Sequence, residues 1–161
     1  MIALLSRLLA RGEPALSDAS PRDAAAMAAL HGASFRHGWS DGEFERLLRE
    51  RSTVAHRAMA GSTLCGFIVS RLAAGEAEIL SVAVTPARRS RGLGRALLTL
   101  HLRRLAGLGV TAVFLEVDED NAPARRLYAR AGFHEVGKRP GYYRQGRDRA
   151  ATALVLRRDL A

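Results

Sequence analysis

The chain has 161 residues, 48% of them hydrophobic and 25% charged, which suits one globular domain and excludes disordered and collagen-like chains. No apolar run approaches the roughly 20 residues that span a bilayer, and one cysteine, Cys65, can neither close an internal disulfide nor hold a structural zinc alone. The formal charge of +9 is unevenly placed: residues 1–85 hold nine Arg against nine acids, and residues 86–161 hold fifteen Arg and one Lys against seven, so the second half is where an anion would be met.

Met1–Arg11 (MIALLSRLLAR) reads as a short amphipathic helix without the basic start or small-residue cleavage site of a signal peptide. Residues 1–13 are taken as an extension and 14–161 as the domain. Ser20-Pro21 supplies an N-cap and an N1 proline for an Ala-rich helix to about Phe35. Ser40 caps a second helix, with Phe44, Leu47 and Leu48 on one face. Thr53–Ala60 and Leu64–Leu72, joined at Gly61-Ser62, read as a hairpin. A third strand, Glu76–Val84, ends in Ile79-Leu80-Ser81-Val82-Ala83-Val84, apolar on both faces and therefore central in its sheet. A helix over Leu93 to about Leu108 carries Leu97, Leu98, Leu102 and Leu105. Ala112–Val117 is a further buried strand. Asn121 caps a helix that Gly132 stops, and Phe133–Tyr143 with Ala150–Arg157 closes the chain as a strand pair. The order describes one mixed α/β domain.

Between the central strand and the Leu-rich helix lies Thr85-Pro86-Ala87-Arg88-Arg89-Ser90-Arg91-Gly92-Leu93-Gly94-Arg95. Gly92 and Gly94 let backbone N–H groups approach a ligand at a helix N-terminus, and Arg88, Arg89, Arg91 and Arg95 surround them. The pattern suits a pyrophosphate, although a tight turn with a solvated basic face has the same residues. It is not a P-loop, since no Gly-Lys-Ser/Thr follows, and the full dinucleotide fingerprint is absent. The five histidines show no ligand spacing, so no metal site is expected; His101 and His134 read as structural or exposed.

Arg89-x-x-Gly92-x-Gly94 matches the Arg/Gln-x-x-Gly-x-Gly/Ala motif of the GCN5-related N-acetyltransferases, and Leu115-Glu116-Val117, Asn121-Ala122, Leu127-Tyr128 and Ala131-Gly132-Phe133 follow at that family's spacing. The chain resembles this family from about Pro14 to Leu160. Within it, the chain is most similar to the branch that acetylates the N-terminal alanine of a small-subunit ribosomal protein. The resemblance implies a single mixed α+β domain with a central, mostly antiparallel sheet flanked by about four helices. It also implies a cytoplasmic enzyme that uses acetyl-CoA as cosubstrate, with no metal, no stable nucleic-acid binding and no membrane span.

Attack of an amine on a thioester needs a base for the ammonium proton, a donor to the carbonyl and an acid for the thiolate. An α-amino group with a pKa of about 8 loses its proton more easily than a lysine near about 10.4. Glu116, the one charged side chain within Ala112–Val117, is the candidate base, with partial burial raising its basicity. A salt bridge to an arginine is the plainer reading of the same residue. The resemblance implies that Tyr128 protonates the thiolate and that the backbone of Val82, Ala83 and Val84 binds the pantetheine arm and the carbonyl. It likewise implies that Arg89, Ser90, Arg91, Gly92, Leu93, Gly94 and Arg95 hold the pyrophosphate. Asn121 is expected to contact the cofactor, and Arg125 and Arg126 to neighbour its phosphates. Cys65 has no paired histidine and reads as a small core residue, so transfer is direct in a ternary complex.

The acceptor implied by the resemblance is a protein N-terminus, on the strength of Trp39-Ser40, the Leu115–Phe133 block and Gly141-Tyr142-Tyr143, whose glycine departs from the asparagine of some members. Asp118-Glu119-Asp120 either attracts a basic peptide or is a solvated loop. A small-molecule amine is the alternative acceptor. A nonenzymatic, salt-sensitive RNA- or ribosome-binding module is the alternative from another class.

Overall fold

The computed structural model describes residues 12–35, 37–141 and 151–160. Its elements are β1 (Ala15–Asp18), α1 (Ala24–Ser34), α2 (Asp41–Arg49), β2 (Thr53–Ala60), β3 (Thr63–Ala73), β4 (Glu76–Val84), α3 (Leu93–Gly107), β5 (Ala112–Asp118), α4 (Ala122–Arg130), β6 (His134–Arg139) and β7 (Ala153–Asp159). The sheet runs β1-β2-β3-β4-β5-β7-β6, with β4 at its centre as its two-faced apolar pattern requires. Every neighbouring pair is antiparallel except β4–β5, which α3 joins as a crossover.

Alternation along β3 builds two cores. Phe67 and Val69 face one way, onto Met27 of α1 and Phe44 of α2. Ile68 faces the other, onto Leu97, Leu98, Leu102 and Leu105 of α3, where Val113, Leu115, Leu154 and Tyr128 of α4 join. Local signals set the helix ends. Ser40 Oγ accepts from the Glu43 amide at 3.1 Å, and the Glu43 carboxylate accepts from the Ser40 amide at 2.6 Å, a capping box that starts α2. Pro21–Asp23 is a 3-10 turn, so the α-helix begins at Ala24 and not at the expected proline. Gly132, at φ +87°, ends the turn after α4.

One strand is absent from the sequence reading. β1 has a single large apolar residue, Leu16, too little for a period, and exists because its register with β2 sets Leu16 opposite Ala58. β6 ends at Arg139, short of the expected Tyr143, and β7 starts at Ala153, three residues later than expected. Tyr142 and Tyr143, like Met1–Arg11, lie outside the described residues.

His101, in mid-helix, is fully buried and heads a polar chain through the core. His101 Nε2 lies 2.6 Å from Ser70 Oγ, His101 Nδ1 lies 2.8 Å from His56 Nδ1, and His56 Nε2 lies 3.4 Å from the Asp18 carboxylate. One arrangement of protons satisfies every contact with both rings neutral. His56 Nε2–H donates to Asp18, His101 Nδ1–H donates to His56 Nδ1, and Ser70 O–H donates to His101 Nε2. The chain thereby ties edge strand β1 and helix α3 to the middle of the sheet.

Burial, and secondarily the His56 charge, pushes the His101 pKa down from 6.5 to about 3. A lowered folded-state value means that the unfolded chain binds the proton first. The contribution is therefore fully present above 6.5 and is lost as pH falls toward about 3. The melting temperature should drop as pH is lowered from about 7 to about 4.5, the upper part of that window. His101→Leu should be less stable at neutral pH by about 1–3 kcal/mol, because Ser70 and His56 lose a partner, yet show a shallower pH dependence. Thermal denaturation across that range measures both.

Candidate active site

The β4–β5 ladder runs only from Glu76↔Ala112 to Ile79↔Leu115, although β4 continues to Val84 and β5 to Asp118. The break coincides with a bulge. Ser70 of β3 pairs with Ile79 and Val69 with Ser81, which leaves Leu80 as an extra residue in β4. Beyond it the two strands part, and the β5-facing backbone edge of Val82, Ala83 and Val84 has no ladder partner there. An extended amide chain of ligand can occupy such an edge by completing the missing hydrogen bonds.

At the end of that edge the chain turns through a 3-10 turn, Pro86–Arg88, into α3. Ser90 and Gly92 both have positive φ, +60° and +85°. The Ala96 amide is the one that reaches the Gly92 carbonyl, so the amides of Leu93, Gly94 and Arg95 open the helix without intrahelical acceptors. Outward-pointing donors with the helix dipole behind them suit a phosphate. A Cβ on Gly92 would meet nothing within 4 Å, so its need for glycine comes from the left-handed backbone and not from crowding within the protein. Gly94 packs closer, its absent Cβ lying 3.6 Å from Leu127 and 3.9 Å from Val84.

The arginines divide by role. Arg89, exposed on the surface, donates from Nε to the Val84 carbonyl at 2.9 Å and from a terminal nitrogen to Ser34 Oγ at 3.4 Å, so it clamps the loop between β4 and α1. Arg88 reaches the Gly12 carbonyl at 3.3 Å, and Arg125 the Glu119 carbonyl at 3.0 Å. Arg91 and Arg95 are exposed around the open amides. Arg125 and Arg126 line a groove of about 380 Å³ between α4, β6 and β7 with Phe133, Glu135, Leu154 and Leu156. Asn121 Oδ1 accepts from the Ala124 amide at 3.2 Å, an N-cap bond. Open amides, a left-handed loop and an unladdered strand edge together fit a pyrophosphate joined to an amide-bearing arm.

The two candidate catalytic side chains lie on opposite faces of the sheet, Glu116 one residue past the last β4–β5 ladder pair. Glu78 alternates with Ala77 and Ile79, which belong to the α3 core, so its register partner Phe114 and then Glu116 face the other side. Glu116 is 19% exposed, pairs with Arg139 at 3.1 Å, and lines a groove of about 330 Å³ with Arg71, Glu78, Phe114 and Val155. The plainer sequence reading of Glu116, a salt bridge to an arginine, is thus realised alongside its position at the opening. Tyr128 comes from the α3 side. It is buried in that core, its ring edge-on to Phe133 at 5.8 Å.

On the Glu116 face, the connection from α1 to α2 is held by His31, which the sequence reading did not single out. His31 Nδ1 accepts from the Trp39 amide at 3.1 Å, and the ring packs against Phe35, Trp39 and Phe44. Burial pushes its pKa down, which keeps that nitrogen an acceptor. Asp118 Oδ1 accepts from the Asp120 amide at 2.9 Å, part of a turn before the α4 cap. Cys65 is buried, donates to the Ala58 carbonyl at 3.2 Å, and has its thiol pKa pushed up by burial, so it behaves as a core residue. Among the described residues no group of three potential metal ligands occurs, and no helix is long and apolar enough to cross a membrane.

Residues 24–133 match the acetyltransferase (GNAT) family. The chain is similar to the N-alpha-acetyltransferase RimI of Mycobacterium tuberculosis, 39% identical over 125 residues, 75% of this chain and 75% of that protein. The crystal structure of the ribosomal-protein-S18-alanine N-acetyltransferase from Escherichia coli superposes with a TM-score of 0.85 at 26% identity, covering 92% of this chain and 94% of that one. A mycothiol acetyltransferase of Clavibacter michiganensis is 44% identical over 77 residues, 48% of this chain. The chain spans 25% of that protein's length and 33% of a longer Mycobacterium leprae relative.

Gly92→Val should weaken acetyl-CoA binding at least about tenfold, because a β-branched residue is strained at positive φ and the loop must give way. Arg89→Met, which removes the clamp, should cost about 0.5–1.5 kcal/mol of stability and loosen the same binding. Calorimetric titration with acetyl-CoA, beside thermal denaturation, checks both.

Proposed function

The chain belongs to the GNAT acetyltransferase family, and from that premise we propose that it moves an acetyl group from acetyl-CoA directly to the N-terminal α-amino group of a protein. The acceptor in this reading is the N-terminal alanine of a small-subunit ribosomal protein, met in the cytoplasm. The observation that carries the proposal is the β4–β5 opening with Glu116 one residue past its last ladder pair. Relatives named for N-alpha-acetylation and for ribosomal-protein alanine acetylation support the choice of acceptor.

Each residue has one task in this mechanism. The amides of Leu93, Gly94 and Arg95, with Arg91 and Arg95 beside them, take the pyrophosphate. The edge of Val82–Val84 aligns the pantetheine arm and donates to the thioester carbonyl, where negative charge develops during attack. Glu116, oriented by Arg139, accepts the ammonium proton, which frees the nitrogen lone pair. The C–N bond forms, the C–S bond breaks as the Tyr128 hydroxyl gives its proton to the leaving thiolate, and the acetylated nitrogen releases its second proton to solvent, from which the tyrosine is reprotonated. Base and acid stand on opposite faces of the sheet, so proton uptake from the amine and delivery to sulfur do not compete for one group.

The match to a protein named for mycothiol acetylation favours a small-molecule amine as the second reading. Mass spectrometry of peptides incubated with acetyl-CoA separates the two. Acetylation is expected on peptides with a free N-terminal alanine, and neither on N-terminally blocked copies nor on lysine-only controls. No peptide product from a sample that binds acetyl-CoA selects the small-molecule acceptor. Glu116→Gln should lower kcat about 10²–10⁴-fold with acetyl-CoA affinity kept, and unchanged turnover would remove it as the base. Tyr128→Phe should slow transfer without unfolding the protein; wild-type turnover would make its role one of packing.

A further inference from the structure

Two buried side-chain oxygens have no hydrogen-bond partner among the described residues, Thr53 Oγ1 and Ser81 Oγ. Thr53 opens β2 at the register of Arg71, on the far end of β3 from the cofactor loop. Ser81 stands elsewhere, in the middle of an otherwise apolar strand end and beside the bulge where β4 leaves β5. It is 7% exposed. An unpaired hydroxyl there costs stability that Ala or Val would not, so its presence in that strand calls for a use outside the fold itself.

Register says which way Ser81 faces. Its partner is Val69, which packs with Phe67 and Ala83 under α1 and α2. Ser81 therefore lies on the same sheet face as Glu116, on the neighbouring strand, just past the last ladder pair Ile79↔Leu115. An amine between Glu116 and a thioester aligned on Val82–Val84 would lie on the sheet face that carries Ser81. Rotation of a serine hydroxyl between staggered χ1 wells is cheap, so the buried oxygen can turn toward that space.

We propose that Ser81 is an acceptor-positioning residue: its Oγ accepts an N–H from the incoming amine and holds the nitrogen lone pair toward the thioester carbon while Glu116 takes a proton. The proposal rests on the acetyltransfer reading above. Its chemistry suits a primary amine, which keeps an N–H to donate after one proton has gone to the base.

A group kept for the substrate at the expense of the fold has a distinctive signature when deleted. Ser81→Ala should leave the melting temperature unchanged or raise it, leave acetyl-CoA affinity unchanged, and lower kcat/KM for an N-terminal alanine peptide about tenfold or more. Ser81→Thr, which keeps the hydroxyl, should restore most of that loss. Wild-type turnover in Ser81→Ala overturns the proposal alone, and so does a lowered melting temperature, which would reveal a structural partner. A wild-type chain that binds acetyl-CoA but acetylates no peptide overturns the reading beneath it, and this assignment falls with it.

Discussion

The structure turns on where one β-ladder stops. Parallel strands β4 and β5 pair for four residues each and then part, because Leu80 is extra in β4 and throws the remaining backbone off β5's line. Had the ladder continued, the edge of Val82–Val84 would be spent on β5, and Glu116 would sit over a closed sheet. The bulge costs hydrogen bonds in the middle of the sheet. Burial on both sides compensates: Phe67 packs against Met27 of α1 and Ile68 against Leu97 of α3, all fully buried, and these contacts hold β4 in place through β3.

The helix that follows converts the opening into a site of one polarity. α3 follows β4 through the loop of residues 85–92, so its free amides lie past the end of the β4 edge, and its Leu-rich face fixes the helix on the sheet. Arg89 ties the loop to the Val84 carbonyl and to the end of α1. That bond removes one acceptor from the strand edge and sets how far the edge extends. The polar chain Ser70–His101–His56–Asp18 anchors the same helix at its middle, so the placement of its free amides depends on three buried polar side chains and the exposed Asp18.

Charge is used less directly than its total suggests. Several arginines in the second half act as hydrogen-bonding or ion-pairing struts: Arg89 on Val84, Arg125 on Glu119, Arg158 on the Ala131 carbonyl, Arg139 on Glu116. A guanidinium is suited to this work because it donates in several directions while staying charged. The long-range field still favours anions in that half, and Arg91 and Arg95 present it at the loop.

The sequence alone determined what local physics can encode. Apolar spacing marked α2 and α3, composition and caps marked α1 and α4, Ser40 and Asn121 marked helix starts, and Gly132 marked a helix stop. The candidate site was legible to the extent that its residues are contiguous, as in the loop from Arg88 to Arg95. Tertiary structure decided the rest, because those facts are relations between distant segments. β1 exists only through its register with β2. The clamp of Arg89 needs Ser34, and the salt bridge of Glu116 needs Arg139. The His56–His101 contact joins residues 45 apart in the chain. Whether Ser81 is one more polar residue in a strand or an unpaired hydroxyl beside the opening depends on a single extra residue in β4, and no period in the sequence records it.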